Sequence, residues 1–285
     1  MNNTQQCSTA FTDEPFAKGY NSVFNVCKAL DIRSAAETLA FPVPTVRPLW
    51  PPFWYEGEIS VLFAESNVGK SILAMQIARD IAAGDNSIVE IDVMPRQVLY
   101  IDYELSVAQY QSRYRGAEMP PLLHRATPSA NAYTELDADT AFDDIIAAMA
   151  SGYKTVVVDN MTFVCDRISD PGKTLMLMKR LKESATAYGA SLLLVCHTPK
   201  RNPRLPLSKA DIAGSSNIVN FADSAFAIGQ SRLDPSIRYL KQIKVREGRL
   251  EFNTGNVLAG TFKTIHNFLT FIPVTTQDEN LHLQN

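Results

Sequence analysis

Residues 59–78 have the sequence ISVLFAESNVGKSILAMQIA. The apolar run at 59–63 predicts a buried strand, and the mostly apolar residues at 72–78 predict a helix. The intervening segment fits the phosphate-binding pattern G-x-x-x-x-G-K-[ST], with alanine at the first glycine position. Its residues are Ala64, Glu65, Ser66, Asn67, Val68, Gly69, Lys70 and Ser71. The spacing therefore predicts a phosphate-binding loop between a strand and a helix; the alternative is an ordinary glycine-containing turn with a chance lysine.

The residue types of this loop suit phosphate chemistry. A tight turn from strand to helix directs successive backbone N–H groups inward, and the helix N-terminus adds positive potential. Lys70 is expected to reach the β- and γ-phosphates, and the Ser71 hydroxyl to bind Mg²⁺. Gly69 lets the backbone approach the phosphates, whereas Ala64 restrains the loop because alanine avoids positive φ. The predicted ligands are ATP and Mg²⁺.

Composition sets broad limits on the class of protein. The 285 residues are 46% hydrophobic and 20% charged, with a formal net charge of -3. This is ordinary for a globular chain, and one α/β domain with extensions fits as well as two domains. Any nucleic-acid binding must use a local basic patch. Four scattered cysteines, no apolar run of bilayer length and no signal-peptide layout lead us to expect a cytoplasmic protein without membrane attachment.

Three further apolar segments, 97–104, 155–160 and 191–197, alternate with helical patterns and end in polar residues. This alternation predicts an α/β fold with a mostly parallel sheet and helices on both faces. Segments 224–228, 237–245 and 250–275 are strand candidates, the last predicting paired antiparallel strands. We expect an N-terminal extension at 1–45, partly disordered or in short helices, an ATPase core at 46–275 and a polar tail at 276–285.

Polar side chains at the carboxyl ends of parallel strands should gather at one edge of the sheet, where ligands bind. Asp159 follows three valines and is a candidate second Mg²⁺ ligand; the alternative is a cap at the strand end. Glu104 is a candidate to activate the attacking water, but Asp102 competes for that role because both leave the same strand. His197 could contact the γ-phosphate, although a lone histidine is more often structural.

Basic residues form two further candidate sites. Lys244 and Arg246 stand two apart on a predicted strand, so both side chains leave one face. Such a pair can reach into a neighbouring subunit's site as an arginine finger does; the alternative is a solvated strand face. Lys200, Arg201, Arg204 and Lys209 lie in a segment without acidic residues, directly after the His197 strand. This segment is either a nucleic-acid-binding loop or simply an exposed basic loop.

Aromatic residues cluster just before the phosphate-binding loop. Trp50, Phe53, Trp54 and Tyr55 fall within six residues of one another. Such clusters are most often packing elements, and nucleotide-base stacking or a subunit contact is the less common alternative.

Taken together, these motifs resemble those of the RecA-like ATPases. The likeness extends over about residues 45–260 and is strongest to the group containing RepA-type hexameric plasmid helicases and DnaB-like helicase cores. It rests on the phosphate-binding loop, Tyr103-Glu104-Leu105-Ser106, the strand ending in Asp159, the leucine-rich strand ending in His197, Gly214-Ser215-Ser216 and Lys244-x-Arg246.

The resemblance implies roles that spacing alone does not give. It favours Glu104 over Asp102 as the catalytic acid and implies that Lys244 and Arg246 act in trans within a ring, usually of six subunits. It also implies that the basic segment faces a channel holding single-stranded DNA. The N-terminal 45 residues match no helicase-loading or primase module.

Two functions follow as hypotheses. The first is an ATP-hydrolysing motor on single-stranded DNA, a replicative helicase of a plasmid or other mobile element. The second is an ATP-switched assembly, regulatory or recombination ATPase of the same fold that does not unwind DNA. The combination of Glu104, Asp159, His197 and the basic pair favours catalysis over simple nucleotide binding.

Overall fold

The computed structural model of the chain describes residues 33–40, 42, 45–88, 93–129, 137–165, 170–199, 201–212 and 216–284. The chain divides into two compact units, Met1–Thr45 and Val46–Asn285. The described part of the first unit contains helix α1 (Ala35–Ala40), which has no buried residue. The Ser34 hydroxyl accepts a hydrogen bond from the Glu37 N–H, and the Glu37 carboxylate accepts one from the Ser34 N–H. This reciprocal pair is a capping box that starts the helix.

The second unit is built on a large sheet of nine strands in the order β11-β10-β9-β8-β3-β7-β6-β4-β5. In chain order these are β3 (Ile59–Ala64), β4 (Val98–Asp102), β5 (Leu123–Ala126), β6 (Thr155–Asp159), β7 (Ser191–His197), β8 (Ser224–Gln230), β9 (Ile237–Lys244), β10 (Val257–Ile265) and β11 (Phe268–Gln277). Neighbouring strands from β8 to β5 in this order are parallel, whereas β8 to β11 pair antiparallel. The predicted fold class is confirmed.

Helices cover both faces of this sheet. They are α2 (Lys70–Ala83), α3 (Val107–Arg113), α4 (Ala138–Ala150), α5 (Met161–Cys165), α6 (Pro171–Tyr188), α7 (Ser216–Phe221) and α8 (Glu279–Leu283). Alternate residues of β3 divide between two cores: Val61 and Phe63 pack with α4, α5 and α6, and Leu62 and Ala64 pack with α2. Within the described ranges, no helix has both the length and the apolar character that crossing a membrane requires.

The aromatic cluster before β3 is a packing element. A small two-stranded sheet, β1 (Pro48–Trp50) and β2 (Trp54–Tyr55), holds these residues against α2 and β8. Trp50, Phe53 and Trp54 are buried, and the rings of Trp50 and Phe53 pack on Phe226. Since these three rings have almost no exposed surface, they are not available to stack on a nucleotide base.

The C-terminal segment, expected to be a polar tail, contains the short helix α8 and is anchored in the core. The Glu279 side chain is fully buried and accepts hydrogen bonds from Lys241 and from the Leu207 N–H. His282 is also buried and stacks on Tyr239. The sequence pattern missed this anchoring because it depends on an ion pair between residues 38 apart in the chain.

The register of the sheet defines two edges with different contents. Ala64 lies opposite His197, and Asp102 lies opposite Asp159, so the carboxyl ends of the parallel strands meet at one edge, here called the carboxyl edge. At the other end, called the amino edge, β8 begins beside the start of β3, and Ala225 of β8 lies opposite Lys244 at the end of β9.

Candidate active site

The phosphate-binding loop lies at the carboxyl edge between β3 and α2. Ala64 is the last residue of β3, and its carbonyl accepts a hydrogen bond from the Thr198 N–H at 2.9 Å. The left-handed backbone positions of the loop are Asn67, with φ of 64°, and Gly69, with φ of 114°. The first position of the motif therefore needs no glycine, and the restraint expected from Ala64 does not arise.

The antiparallel half of the sheet supports the loop from one side. A Cβ added to Gly69 would lie 2.5 Å from Cε2 of Phe262 on β10, so this glycine is required by packing as well as by φ. Arg238 of β9 donates from Nε to the Val68 carbonyl at 2.8 Å. Residues 170 and 193 positions apart along the chain thus hold the loop in shape.

The cleft above the loop has a volume of ≈ 360 Å³. It is lined by Ser66, Asn67, Gly69, Lys70, Ser71, Ile72, Glu104, Arg113 and His197. The Lys70 ammonium donates to the Glu65 carbonyl at 2.9 Å, and burial lowers the pKa of this lysine. The loop, the candidate base and the candidate sensor therefore open onto one cavity, as the strand ends predicted.

Asp159 and Ser71 fit a magnesium ion. Asp159 is buried, its Oδ2 accepts a hydrogen bond from the Tyr100 hydroxyl at 2.6 Å, and its Oδ1 has no hydrogen-bond partner among the described residues. Burial, reinforced by the nearby Glu104 carboxylate, raises the pKa of Asp159 to about 6. A cation beside Oδ1 would satisfy this oxygen and reverse the pKa shift.

No cluster of three or more histidine, cysteine or acidic side chains suited to a metal occurs in the part of the chain that the structure describes. Mg²⁺ commonly needs only one or two protein ligands because it keeps waters and takes oxygens from substrate phosphates. The pair formed by Ser71 and Asp159 therefore predicts a metal site that depends on bound nucleotide.

Glu104 and Asp102 have different environments, although the sequence placed them on one strand. Glu104 lies beyond the end of β4, and its Oε2 accepts a hydrogen bond from the Ser71 hydroxyl at 3.2 Å. Asp102 is buried, accepts two hydrogen bonds from the Arg125 guanidinium at 3.0 and 2.8 Å, and also accepts the N–H groups of Glu104 and Leu105. Asp102 is thus fully engaged in holding the turn that presents Glu104.

His197 is coupled to Asn160 at the neighbouring strand end. Asn160 Oδ1 accepts the Phe163 N–H, so its amide nitrogen faces His197 Nε2 at a distance of 2.8 Å. Because the amide nitrogen can only donate, Nε2 of His197 must accept. A contact between Nε2 and a phosphate would require this hydrogen bond to break, which links the histidine to the Asp159 turn.

Arg113 is a cleft residue that the sequence analysis missed. It is the last residue of α3 and lines the cavity together with Lys70, so it adds a second cation to the site. No motif marked it, because a basic residue near the end of a helix is common on solvated surfaces. Its place in the cleft depends on where α3 packs, which no local sequence pattern indicates.

The basic segment after β7 is only partly free. Lys200 lies outside the described residues. The side chain of Arg201 is 8% exposed; it donates to Asp211 Oδ1 at 2.9 Å and lies 3.9 Å from the Glu65 carboxylate of the phosphate-binding loop. Arg204 and Lys209 are exposed. Of the predicted nucleic-acid residues that the structure describes, two thus face solvent and one is held by carboxylates.

Lys244 and Arg246 share one pocket at the amino edge, away from their own phosphate-binding loop. The four residue steps along β3 from Ser60 to Ala64 separate the two edges by roughly 13 Å, at about 3.3 Å per residue. The Lys244 ammonium donates to the Val219 and Ala222 carbonyls near the end of α7, whereas Arg246 pairs with Asp223. Gly214 and Ser215 of the proposed turn before α7 lie outside the described residues.

Comparison with known proteins assigns the chain to a family. A family model described as an AAA domain matches residues 26–203, which is more than half of the chain. The chain belongs to this AAA domain family. No curated protein matches the sequence.

The fold of this AAA domain protein is similar to that of a solved KaiC-like protein, PH0186, from the hyperthermophilic archaeon Pyrococcus horikoshii OT3. The two share 15% sequence identity with a TM-score of 0.56, over 81% of this chain and 100% of the other. This likeness shows the fold, which is RecA-like. The AAA domain family and the phosphate-binding loop support an ATPase. The finer resemblance to RepA-type and DnaB-like helicases is tested by neither comparison.

Proposed function

We propose that this protein is an ATP-hydrolysing motor that acts on single-stranded DNA as a ring of identical subunits, as a replicative helicase of a plasmid or mobile element does. The observation that carries the proposal is the division of the phosphate chemistry between two edges. The carboxyl edge supplies a loop, a metal ligand and a base, and the amino edge of the same chain supplies a separate pair of cations.

At the carboxyl edge, the residues have complementary tasks in hydrolysis. Lys70 would balance charge on the β- and γ-phosphates, and Glu104, near the Ser71 hydroxyl, would orient and deprotonate the attacking water. Ser71 and Asp159 would hold Mg²⁺, which neutralises charge on the phosphate oxygens when bound. Asn160 and His197 would respond to the γ-phosphate and pass its loss to the segment that follows β7.

The cations at the amino edge suggest a ring. Roughly 13 Å of β3, at about 3.3 Å per residue, separates the amino edge, where Arg246 lies, from the subunit's own cleft, so a role in hydrolysis requires the cleft of another subunit. Contacts between unlike surfaces repeat head to tail and close into rings when the rotation permits. We propose that Arg246, with Lys244 behind it, neutralises transition-state charge in the neighbouring cleft.

The DNA contact would use the exposed part of the basic segment, Arg204 and Lys209. Arg201 contributes differently, because its guanidinium bridges Glu65 of the phosphate-binding loop and Asp211 of the segment. This bridge offers a physical route by which nucleotide state could alter the segment.

The same bridge also favours the second candidate, an ATP-switched assembly, regulatory or recombination ATPase. Since Arg201 is held by carboxylates, the segment offers fewer free cations to a phosphate backbone than its sequence suggests. A switch protein would need the coupling between Glu65 and the segment but would not need DNA.

Steady-state ATP hydrolysis with and without single-stranded DNA separates the two, with Lys70→Ala as the blank. Stimulation of several-fold supports the motor and justifies an unwinding assay. Hydrolysis that DNA leaves unchanged supports the switch, and absence of hydrolysis above the blank contradicts both.

A further inference from the structure

The amino edge carries a second charged pocket centred on Asp223. The cavity has a volume of ≈ 360 Å³ and includes three cations among its lining residues, Lys182, Lys244 and Arg246. Asp223 lies at its base with a 4% exposed side chain. Neither the motifs nor the comparisons assign Lys182 or Asp223 a role.

Both carboxylate oxygens of Asp223 accept hydrogen bonds. Its carboxylate accepts hydrogen bonds from Lys182 and Arg246 and from the Ile59 N–H, the last at 2.9 Å. In the reverse direction, the Asp223 N–H donates to the Ile59 carbonyl at 2.7 Å. Burial opposes ionisation of this carboxyl, but the hydrogen bonds from Lys182, Ile59 and Arg246 outweigh it and lower the pKa of Asp223.

Asp223 contacts the first residue of the strand that leads into the phosphate-binding loop. Ile59 is the first residue of β3, whose last residue, Ala64, begins the phosphate-binding motif. Asp223 therefore joins the exposed guanidinium of Arg246 to the strand that carries the subunit's own loop. Arg246 is 66% exposed, so without a fixed partner its long side chain would sample many rotamers.

Charge at the pocket is not balanced by Asp223 alone. Burial lowers the pKa of Lys244 against the attraction of Asp223, and repulsion from Lys209, Arg246 and Lys182 adds to the effect of burial. Three cations line the pocket with Asp223, while Glu58 and Glu247 lie nearby, and the exposed guanidinium of Arg246 suits a polyanion such as the triphosphate held by a second copy of this chain.

We infer that Asp223 is a positioning residue that holds Arg246 in the geometry needed to engage a phosphate on the neighbouring subunit, and that it ties this arginine to β3. The inference rests on the proposed function, because it requires Arg246 to act in trans. It makes the amino edge of β3 a relay between the nucleotide of the neighbour and the subunit's own loop.

The test uses purified full-length variants, alone and in mixed oligomers. Asp223→Asn should bind ATP as the wild type does, since its own cleft is intact, but hydrolyse it about tenfold more slowly because the arginine is misplaced. A loss of ATP affinity equal to the loss of rate would contradict a positioning role. The isosteric amide can still accept the Ile59 N–H, so the strand contact is retained.

Mixing assigns the defect to one side of the interface. Asp223→Asn lacks a positioned arginine but has a working phosphate-binding loop. Lys70→Ala has a positioned arginine but lacks a working loop. In an equimolar mixture assembled from dissociated subunits, about a quarter of head-to-tail interfaces combine the two working halves, so activity should rise towards that fraction. Mixing Asp223→Asn with Arg246→Ala should restore nothing, because both lack the same half.

The outcomes distinguish the two ideas. If Arg246→Ala and Lys70→Ala fail to complement each other, the trans arrangement of the proposed function is wrong. If that pair complements but Asp223→Asn with Lys70→Ala does not, only the role of Asp223 is refuted. Should Asp223→Asn not fold, Asp223→Glu keeps the charge but shifts the carboxylate, and the same complementation by Lys70→Ala is expected.

Discussion

Asp159 and Asp223 are both nearly inaccessible aspartates, one at each edge of the sheet, and their environments have opposite effects. The pKa of Asp159 is raised to about 6, chiefly by burial, and its Oδ1 has no hydrogen-bond partner among the described residues. The pKa of Asp223 is lowered, because two cations and a backbone N–H outweigh the cost of burial. One carboxylate therefore accepts a hydrogen bond from a neutral hydroxyl, and the other accepts hydrogen bonds from two cations.

This difference leads us to expect that a ligand completes the carboxyl edge. The buried, unpartnered Oδ1 of Asp159 would suit a metal ion that arrives with a nucleotide. At the amino edge the carboxylate is satisfied, and the Arg246 guanidinium beside it is exposed. A triphosphate bound at the carboxyl edge would be complementary in charge to this arginine, as expected if one subunit's amino edge meets the next subunit's nucleotide.

The largest expected effect is the loss of the phosphate-binding lysine at the carboxyl edge. Lys70→Ala should reduce ATP hydrolysis at least about 100-fold, since the lysine is a preorganised charge aimed at the phosphates. Lys179→Ala is a matched control, because Lys179 is a 68% exposed lysine of α6 that pairs with Glu183. Hydrolysis by Lys70→Ala at the rate of the control would refute the phosphate-loop assignment.

Glu104→Gln should slow hydrolysis about 100-fold while leaving ATP binding nearly unchanged, which is the effect expected for loss of a general base.

Asp102→Asn tests the competing acid on the same strand. It should leave chemistry largely intact but lower the free energy of unfolding by about 3 kcal/mol, because it leaves Arg125 in a buried pair without its charge partner. Single-turnover hydrolysis and thermal unfolding of both variants measure the two effects. The reverse pattern would assign the base to Asp102.

The contrast between Glu104 and Asp102 shows how much of the candidate site could be predicted from the sequence. Strand ends could be located from apolar runs, so the gathering of Lys70, Asp159 and His197 at one edge was predictable. The choice between two acids two residues apart was not, because it depends on Arg125 from β5, a strand that no motif marked. Resemblance to a family, rather than spacing, favoured Glu104.

Other features escaped prediction for the same physical reason. Arg113 enters the cleft because α3 folds over it, and Arg201 is buried because Asp211 reaches back ten residues. The anchoring of Glu279 by Lys241 spans 38 residues. In each case tertiary packing sets the surroundings of a charged side chain. A local sequence pattern indicates only the periodicity of the secondary structure.

The opposite pKa shifts of the two aspartates predict opposite dependences of stability on pH. The folded-state pKa of Asp159 lies above its ordinary value of 3.8, so its ionised form costs the fold progressively more as pH rises from about 4 to about 6, and the cost is constant above. Asp159→Asn should therefore stabilise the nucleotide-free protein at pH 7.5 by about 1 to 3 kcal/mol, with little effect near pH 4.

Asp223→Asn should act in the opposite direction. Because the folded-state pKa of Asp223 is lowered, its ionised form stabilises the fold above its ordinary value, and this contribution disappears as pH falls through the folded-state pKa. The variant should thus be less stable than wild type at pH 7.5 and approach it in acid. Chemical denaturation across this pH range measures both; changes of the same sign at pH 7.5 would remove the distinction between the edges.

The smallest expected effect concerns the segment that runs between the edges. Arg204 is exposed, so Arg204→Gln should weaken single-stranded DNA binding a few-fold and reduce the slope of log K against log salt by about 0.7, the value for one lost phosphate contact. Arg201→Gln breaks the bridge to Glu65 and Asp211 instead, so it should change the response of hydrolysis to DNA more than the salt slope. An unchanged slope in Arg204→Gln would place the DNA contact elsewhere.

Equal slope losses in Arg204→Gln and Arg201→Gln would show that Arg201 leaves its carboxylates when DNA binds. The ion pairs of Arg201 with Glu65 and Asp211 would then themselves respond to DNA.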